Sequence, residues 1–80
     1  MVYLVISRAG LDSFVRLGRH DVPLWVGAGV LSDAELGEMR DAGFDVSDFN
    51  YEIASSDAEA IEGARGTIEE HHPGLTIRVV

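Results

Sequence analysis

Residues 24–35 read LWVGAGVLSDAE, and they combine an apolar run, a cluster of small residues and a capping pattern. Its first three residues, 24–26, form a short apolar run that predicts a central strand. Small residues at 27–29 close that run. Ser32 and Glu35 then have the spacing of a capping box, in which each residue's side chain accepts from the other's backbone amide. The stretch is therefore expected to be a strand, a tight turn and the start of a helix, which ends at Gly43.

The same alternation continues towards the N-terminus. Residues 2–6 are a continuous apolar run, typical of a strand buried on both faces. Residues 7–10 break that run. The spacing i, i+3, i+4 and i+7 then predicts one buried face of a first helix, formed by Leu11, Phe14, Val15 and Gly18. Residues 22–23, Val-Pro, are expected to end that helix, because proline disfavours helical geometry in the preceding residue.

The second half of the chain repeats the pattern less cleanly. Residues 44–53 alternate with interruptions, which indicates an edge strand followed by a loop. A second capping box, Ser56 with Glu59, is expected to start a third helix that ends in residues 71–74. Residues 75–80 alternate as a half-exposed strand does.

These elements predict one α/β domain over residues 1–80, with the order β-α-β-α-β-α-β. Alternating strands and helices favour a largely parallel four-stranded sheet with right-handed crossovers. The two continuous runs belong in the centre and the two interrupted ones at the edges. This placement predicts strand order 3-2-1-4, like half of a doubly wound nucleotide-binding fold. The alternative is a ferredoxin-like or mixed sheet with the last strand antiparallel.

The composition of the chain narrows the classes of partner and of chemistry that it can have. The 80 residues carry a net charge of −8 and contain no cysteine. The negative charge is concentrated after residue 30, and it disfavours nucleic acid and anionic membranes as partners. Every basic side chain is arginine, which excludes Schiff-base chemistry on lysine. With no apolar run near the roughly 20 residues of a membrane span and no basic leader, the expected location is the cytoplasm.

Two strand-end loops are candidate ligand sites, because open α/β sheets bind ligands at the carboxyl ends of their strands. The first loop is 7–10. There Arg8 is a candidate anion clamp, Ser7 a candidate hydrogen-bond donor, and Gly10 the residue that allows the turn. The second loop is 27–30, where Gly27 and Gly29 leave backbone amides open to an anion at a helix N-terminus.

Residues 23–30, with Asp33-Ala34-Glu35 and 41–43 following, resemble the phosphate-binding strand-helix unit of (β/α)8-barrel enzymes. The resemblance covers about a quarter of the chain, which is too short to form such a barrel. It implies a phosphate near Gly27 and Gly29. Asp33 and Glu35 would place negative charge beside that phosphate.

No catalytic or metal-binding set is complete. A Gly-x-Ser-x-Gly elbow is missing, so no serine has the usual setting of a nucleophile. Glu69 and His72 have the i, i+3 spacing found in di-metal bundles, but no second such motif exists. Trp25 lies among apolar neighbours and is expected in the core. We therefore expect no cofactor or metal, and the sequence favours a protein that is not an enzyme.

The last strand is the most suggestive partner-binding segment. An exposed edge would be formed there by residues Leu75, Ile77, Arg78 and Val79. Arg78 is the single charged residue that could hinder pairing of this edge with another chain. Such edges pair with other chains, and small domains gain stability by associating. The leading hypothesis is thus a small acidic interaction or regulatory module that acts through its acidic helices or this edge. The hypothesis includes a homodimer formed through this edge. The alternatives are an anion- or nucleotide-binding domain using loops 7–10 and 27–30, and a small enzyme completed by its dimer mate.

Overall fold

The computed structural model describes residues 1–80 as four strands alternating with three helices. All strand pairs are parallel, and the order is β3-β2-β1-β4. This confirms the predicted order 3-2-1-4 and rules out an antiparallel last strand. The elements are β1 (Val2–Val5), α1 (Arg8–Leu17), β2 (Leu24–Val26), α2 (Asp33–Asp41), β3 (Val46–Asp48), α3 (Ala58–His71) and β4 (Ile77–Val79).

Helices cover both faces of the sheet. On one face, α1 and α2 pack against one set of alternate strand residues, forming the cluster Val5, Leu11, Phe14, Val22, Leu24, Val26, Leu36 and Val46. On the other face, α3 covers the cluster Val2, Leu4, Trp25, Phe49, Ile53, Ala64 and Ile68. Because β1 and β2 contribute to both clusters, their unbroken apolar runs are buried on both sides, as the sequence predicts.

Helix α1 begins and ends earlier than its apolar pattern indicates. Ser7 is its N-cap, and the Ser7 hydroxyl accepts from the Gly10 N–H at 3.0 Å. Gly18 is its C-cap with φ 64°, a left-handed conformation that glycine adopts without strain. Residues 8–10 thus form the first helical turn, although they were predicted to be a loop. Two further predictions were wrong: Val15 is 47% exposed and not on the buried face, and the helix ends at Gly18 and not at residues 22–23.

The cap of α2 agrees with prediction, whereas that of α3 does not. The Ser32 hydroxyl accepts from the Glu35 N–H at 3.1 Å, and Glu35 Oε1 accepts from the Ser32 N–H at 3.0 Å. In α3 the N-cap is Asp57, whose carboxylate accepts from the Ala60 N–H at 3.1 Å. The predicted capping box at Ser56 is therefore wrong, because the carboxylate one residue later takes that position.

Residues 44–53 were predicted to be an edge strand followed by a loop, and within them Val46–Asp48 pair with β2 as strand β3. The chain then crosses to the other face, where Phe49 and Ile53 join the core beneath α3. Trp25 is buried beside Phe49, with ring centroids 5.3 Å apart, which confirms its predicted place in the core. None of the helices is both long and apolar enough to cross a membrane.

Candidate functional site

A crevice lies at the carboxyl ends of the central strands, where the fold places ligand sites. Its volume is about 580 Å³. The residues that line it come from the start of α1, from the turn after β2 and from the segment after β3. Among them are the predicted residues Ser7, Arg8 and Gly29. The two predicted loops therefore meet in one cavity, although they lie far apart in the sequence.

Arg8 is already engaged within the protein. Its guanidinium donates to Val30 O at 3.0 Å and makes a two-point ion pair with the Glu35 carboxylate. The Arg8 hydrogen bond, helped by the Ser32 N–H, lowers the pKa of Glu35 to about 2. The same pair raises the pKa of Arg8 above its usual value. An anion entering the crevice would have to displace Glu35 before it reached the guanidinium.

The turn after β2 also has few groups to offer an anion. The Gly27 N–H donates to Val5 O at 3.1 Å, and the Ala28 N–H donates to Tyr51 O at 3.0 Å. Val30 closes the turn by donating to Gly27 O at 3.3 Å. Gly29 has φ +85°, which explains why glycine stands there. Its exposed side faces Glu52, since a Cβ at Gly29 would lie 3.6 Å from Glu52 Oε1.

The charged side chains of the crevice are one arginine and two glutamates, Arg8, Glu35 and Glu52. Ser7 is occupied as the N-cap of α1. Gly10 is buried against the end of β4: a Cβ there would lie 2.6 Å from the carbonyl oxygen of Val80. The predicted crevice residues thus have local roles in capping, turning and close packing.

The outer edge of β4 presents a different situation. The Val2 N–H donates to Thr76 O at 2.8 Å, and the Val80 N–H donates to Leu4 O at 2.9 Å. Because backbone groups alternate in direction along a strand, the N–H and C=O groups of Ile77 and Val79 point away from β1. No side-chain hydrogen bond reaches either residue. The edge therefore has free donors and acceptors.

The side chains beside this edge are apolar apart from Thr76 and Arg78. Ile77 and Val79 are half-buried against the core beneath α3, and Leu75 is 44% exposed. On the α1 face, Arg78 lines a groove of about 400 Å³ with Tyr3, Phe14 and Leu17. Arg78 belongs to none of the four ion pairs of the protein. The four residues predicted to bind a partner therefore lie together around a free strand edge.

The opposite edge of the sheet is covered. Arg40 of α2 donates from Nε and Nη2 to Val46 O, at 3.3 and 3.1 Å. The same guanidinium reaches the Asp48 carboxylate at 3.5 Å. One outward carbonyl of β3 is thus satisfied, and charges flank the strand, a common protection against pairing with other chains. This role of Arg40 was not predicted, because it depends on how α2 packs beside β3.

Comparisons with protein-family models, with curated proteins and with solved structures found no match to this chain. The side chains form no group of three or more acidic, histidine or cysteine residues that could hold a metal ion. His71 and His72 instead lie against Trp25, with ring centroids 5.3 and 6.2 Å away. The candidate sites of this chain are therefore the crevice and the β4 edge.

Proposed function

We propose that this chain is a protein-interaction module that adds an extended segment of a partner protein to the free edge of β4. The observation that carries the proposal is the set of unpaired backbone groups at Ile77 and Val79. In strand addition, main-chain hydrogen bonds supply affinity, and pockets for alternate side chains supply specificity. The acidic helices then act mainly to keep the module soluble.

The groove beside β4 indicates what the added segment contains. Every second side chain of that segment would lie on the α1 face, beside the groove that Tyr3 and Leu17 line. A neighbouring position would face the unpaired guanidinium of Arg78, which favours a polar or acidic residue. On the α3 face the segment would extend the apolar row of Leu75, Ile77 and Val79.

Proline substitution tests strand addition at a single backbone atom. Val79→Pro removes an outward N–H and leaves the bonds from β4 to β1 in place. Asp48→Pro makes the same change at an outward position of the covered β3 edge, so it is the matched control. Tagged wild type and both variants are used as baits in a lysate of the native host, after circular dichroism has shown that all three are folded.

A partner captured by wild type and by Asp48→Pro, but lost with Val79→Pro, is the expected result. The purified partner should then slow hydrogen exchange at the Ile77 and Val79 amides. Equal capture by all three baits would place the partner elsewhere and contradict the proposal. So would a wild-type protein that neither captures a partner nor associates with itself.

Binding of an anion or nucleotide in the crevice is the second candidate. Its support is the position and volume of the crevice, which match the usual ligand sites of such sheets. The engagement of Arg8 by Glu35 and the carboxylate of Glu52 give it less support than the β4 edge has. An enzyme whose active site is completed by a second copy of the chain would use the same crevice. Enzymatic activity that depends on protein concentration would support this alternative.

A further inference from the structure

The segment around β4 is symmetric in polarity. Residues 75–79 read Leu-Thr-Ile-Arg-Val, so apolar and polar residues alternate identically in both directions from Ile77. Ile77 and Val79 lie on the α3 face and Arg78 on the α1 face. Strand alternation continued by two residues puts Leu75 on the α3 face and Thr76 on the α1 face. A surface that meets an identical copy of itself across a two-fold axis must have this kind of self-complementarity.

Two antiparallel registers keep most of two such edges in contact. In one, the axis passes between the two copies of Arg78, and the two guanidiniums lie directly opposite each other, which is destabilising. In the other, the axis passes between the two copies of Ile77. Leu75 then lies opposite Val79 of the second copy, and Thr76 lies opposite Arg78. This register also covers Leu75, which is 44% exposed in the single chain.

We infer that the segment added to β4 is the β4 edge of a second copy of this chain, paired antiparallel about Ile77. This inference rests on the proposed strand addition and names its partner. The outward groups of Ile77 form the hydrogen-bonded pair on the axis. The resulting dimer joins two four-stranded sheets into one continuous sheet. Arg78 sets the register by excluding the alternative.

Charge gives this dimer a salt dependence of a defined sign. Each copy carries a net charge of −8, so two copies repel each other at low ionic strength. Added salt screens that repulsion and should tighten the dimer. A basic partner protein would show the opposite dependence, because salt would screen an attraction. Light scattering of the purified chain over a series of protein and salt concentrations measures this sign directly.

Single cysteines test the register, since the natural chain has none. In the inferred register the two Ile77 Cα atoms lie about 5.5 Å apart, which suits a disulfide. Ile77→Cys should therefore form a cross-linked dimer under mild oxidation about tenfold or more faster than Asp48→Cys, whose cysteine meets its copy only by chance collision. An equimolar mixture of Ile77→Cys and Val79→Cys reports the other register, in which Ile77 lies opposite Val79 of the second copy, and it keeps Arg78 in both chains. Val79→Pro and Leu75→Glu should both make the protein monomeric. Leu75→Glu should not prevent folding, because the Leu75 side chain is 44% exposed.

Several outcomes would overturn the inference. A wild-type chain that is monomeric at every concentration excludes self-pairing, and strand addition is then judged only by the captured partner that Val79→Pro loses. A dimer that persists in both Val79→Pro and Leu75→Glu forms through another surface. Faster cross-linking between the Ile77→Cys and Val79→Cys variants in their mixture than within Ile77→Cys alone would overturn the register.

Discussion

At the β3 edge, a guanidinium from α2 covers an outward carbonyl and reaches a neighbouring carboxylate. At the β4 edge, the corresponding backbone groups of Ile77 and Val79 have no partner. Both are edges of one parallel sheet, so they have the same intrinsic tendency to pair with another strand. One side chain can therefore cap part of one edge while the backbone groups of the other edge stay open.

The largest expected effect concerns how β4 is attached. Gly10→Ala would place a Cβ 2.6 Å from the carbonyl oxygen of Val80, so the start of α1 and the end of β4 would have to move apart. We expect a loss of about 1–3 kcal/mol in the free energy of unfolding, as overpacking of this kind typically causes. Urea denaturation measures it, and faster hydrogen exchange at the Ile6 amide, which donates to Val80 O, locates it.

Gly63→Ala is the matched control for that substitution. Gly63 lies in α3, and nothing lies within 4 Å of a Cβ placed there. Alanine favours the helix over glycine by about 0.5–1 kcal/mol, so this variant should be more stable than wild type. If Gly10→Ala were also neutral or stabilising, the end of β4 would not be held against α1 as described.

A smaller effect is expected from removing the cover on β3. Arg40→Gln shortens the side chain and takes its guanidinium from Val46 O, at a cost of about 0.5–1 kcal/mol for a partly exposed hydrogen bond. More tellingly, the variant should form species larger than a dimer, because both edges are then open. Light scattering of Arg40→Gln beside wild type checks this. Unchanged mass would mean that something other than Arg40 keeps the β3 edge from pairing.

In the crevice, unlike at the β4 edge, the charged groups of Arg8 and Glu35 bind each other. The pKa of Glu35 is lowered to about 2 from its usual 4.5, so its ionised form stabilises the fold above about pH 4.5. That stabilisation is lost as the pH falls towards 2. Glu35→Gln should therefore flatten the decline in stability between pH 4.5 and 2. Denaturation midpoints across this range measure it; parallel curves for the two proteins would contradict the Arg8–Glu35 pair.

The smallest expected effect is on anion binding. Inorganic phosphate should leave the amide resonances of residues 7–10 and 27–30 of wild type unchanged, because Glu35 occupies Arg8. Glu35→Gln, which frees the guanidinium, should show weak saturable shifts, and Arg8→Gln in the same background should abolish them. Saturable shifts in wild type at low ionic strength would favour the crevice as the ligand site instead of the β4 edge.

Local patterns predicted the parts of this fold that depend on nearby residues. Two unbroken apolar runs indicated the central strands, and Ser32 with Glu35 marked the start of α2. The first turn of α1 was missed, because Gly10 suggested a loop and the close approach of β4 that requires this glycine is a tertiary contact. The capping box identified Glu35, but nothing near it in sequence indicated its second partner, Arg8.

The β1–β4 pairing has a consequence for the order of folding. Val2 pairs with Ile77, so this contact joins two segments near opposite ends of the chain. Closing so long a loop is slow, because its entropy is lost before the strand pairing rewards it. We expect the Val2 and Ile6 amides, which donate to Thr76 and Val80, to gain protection last in pulse-labelled refolding. Early protection there would contradict this order.

Until β4 docks, β1 has an open side of its own, and β4 of a neighbouring copy can fill it. We therefore expect exchange of β4 between copies to compete with correct folding.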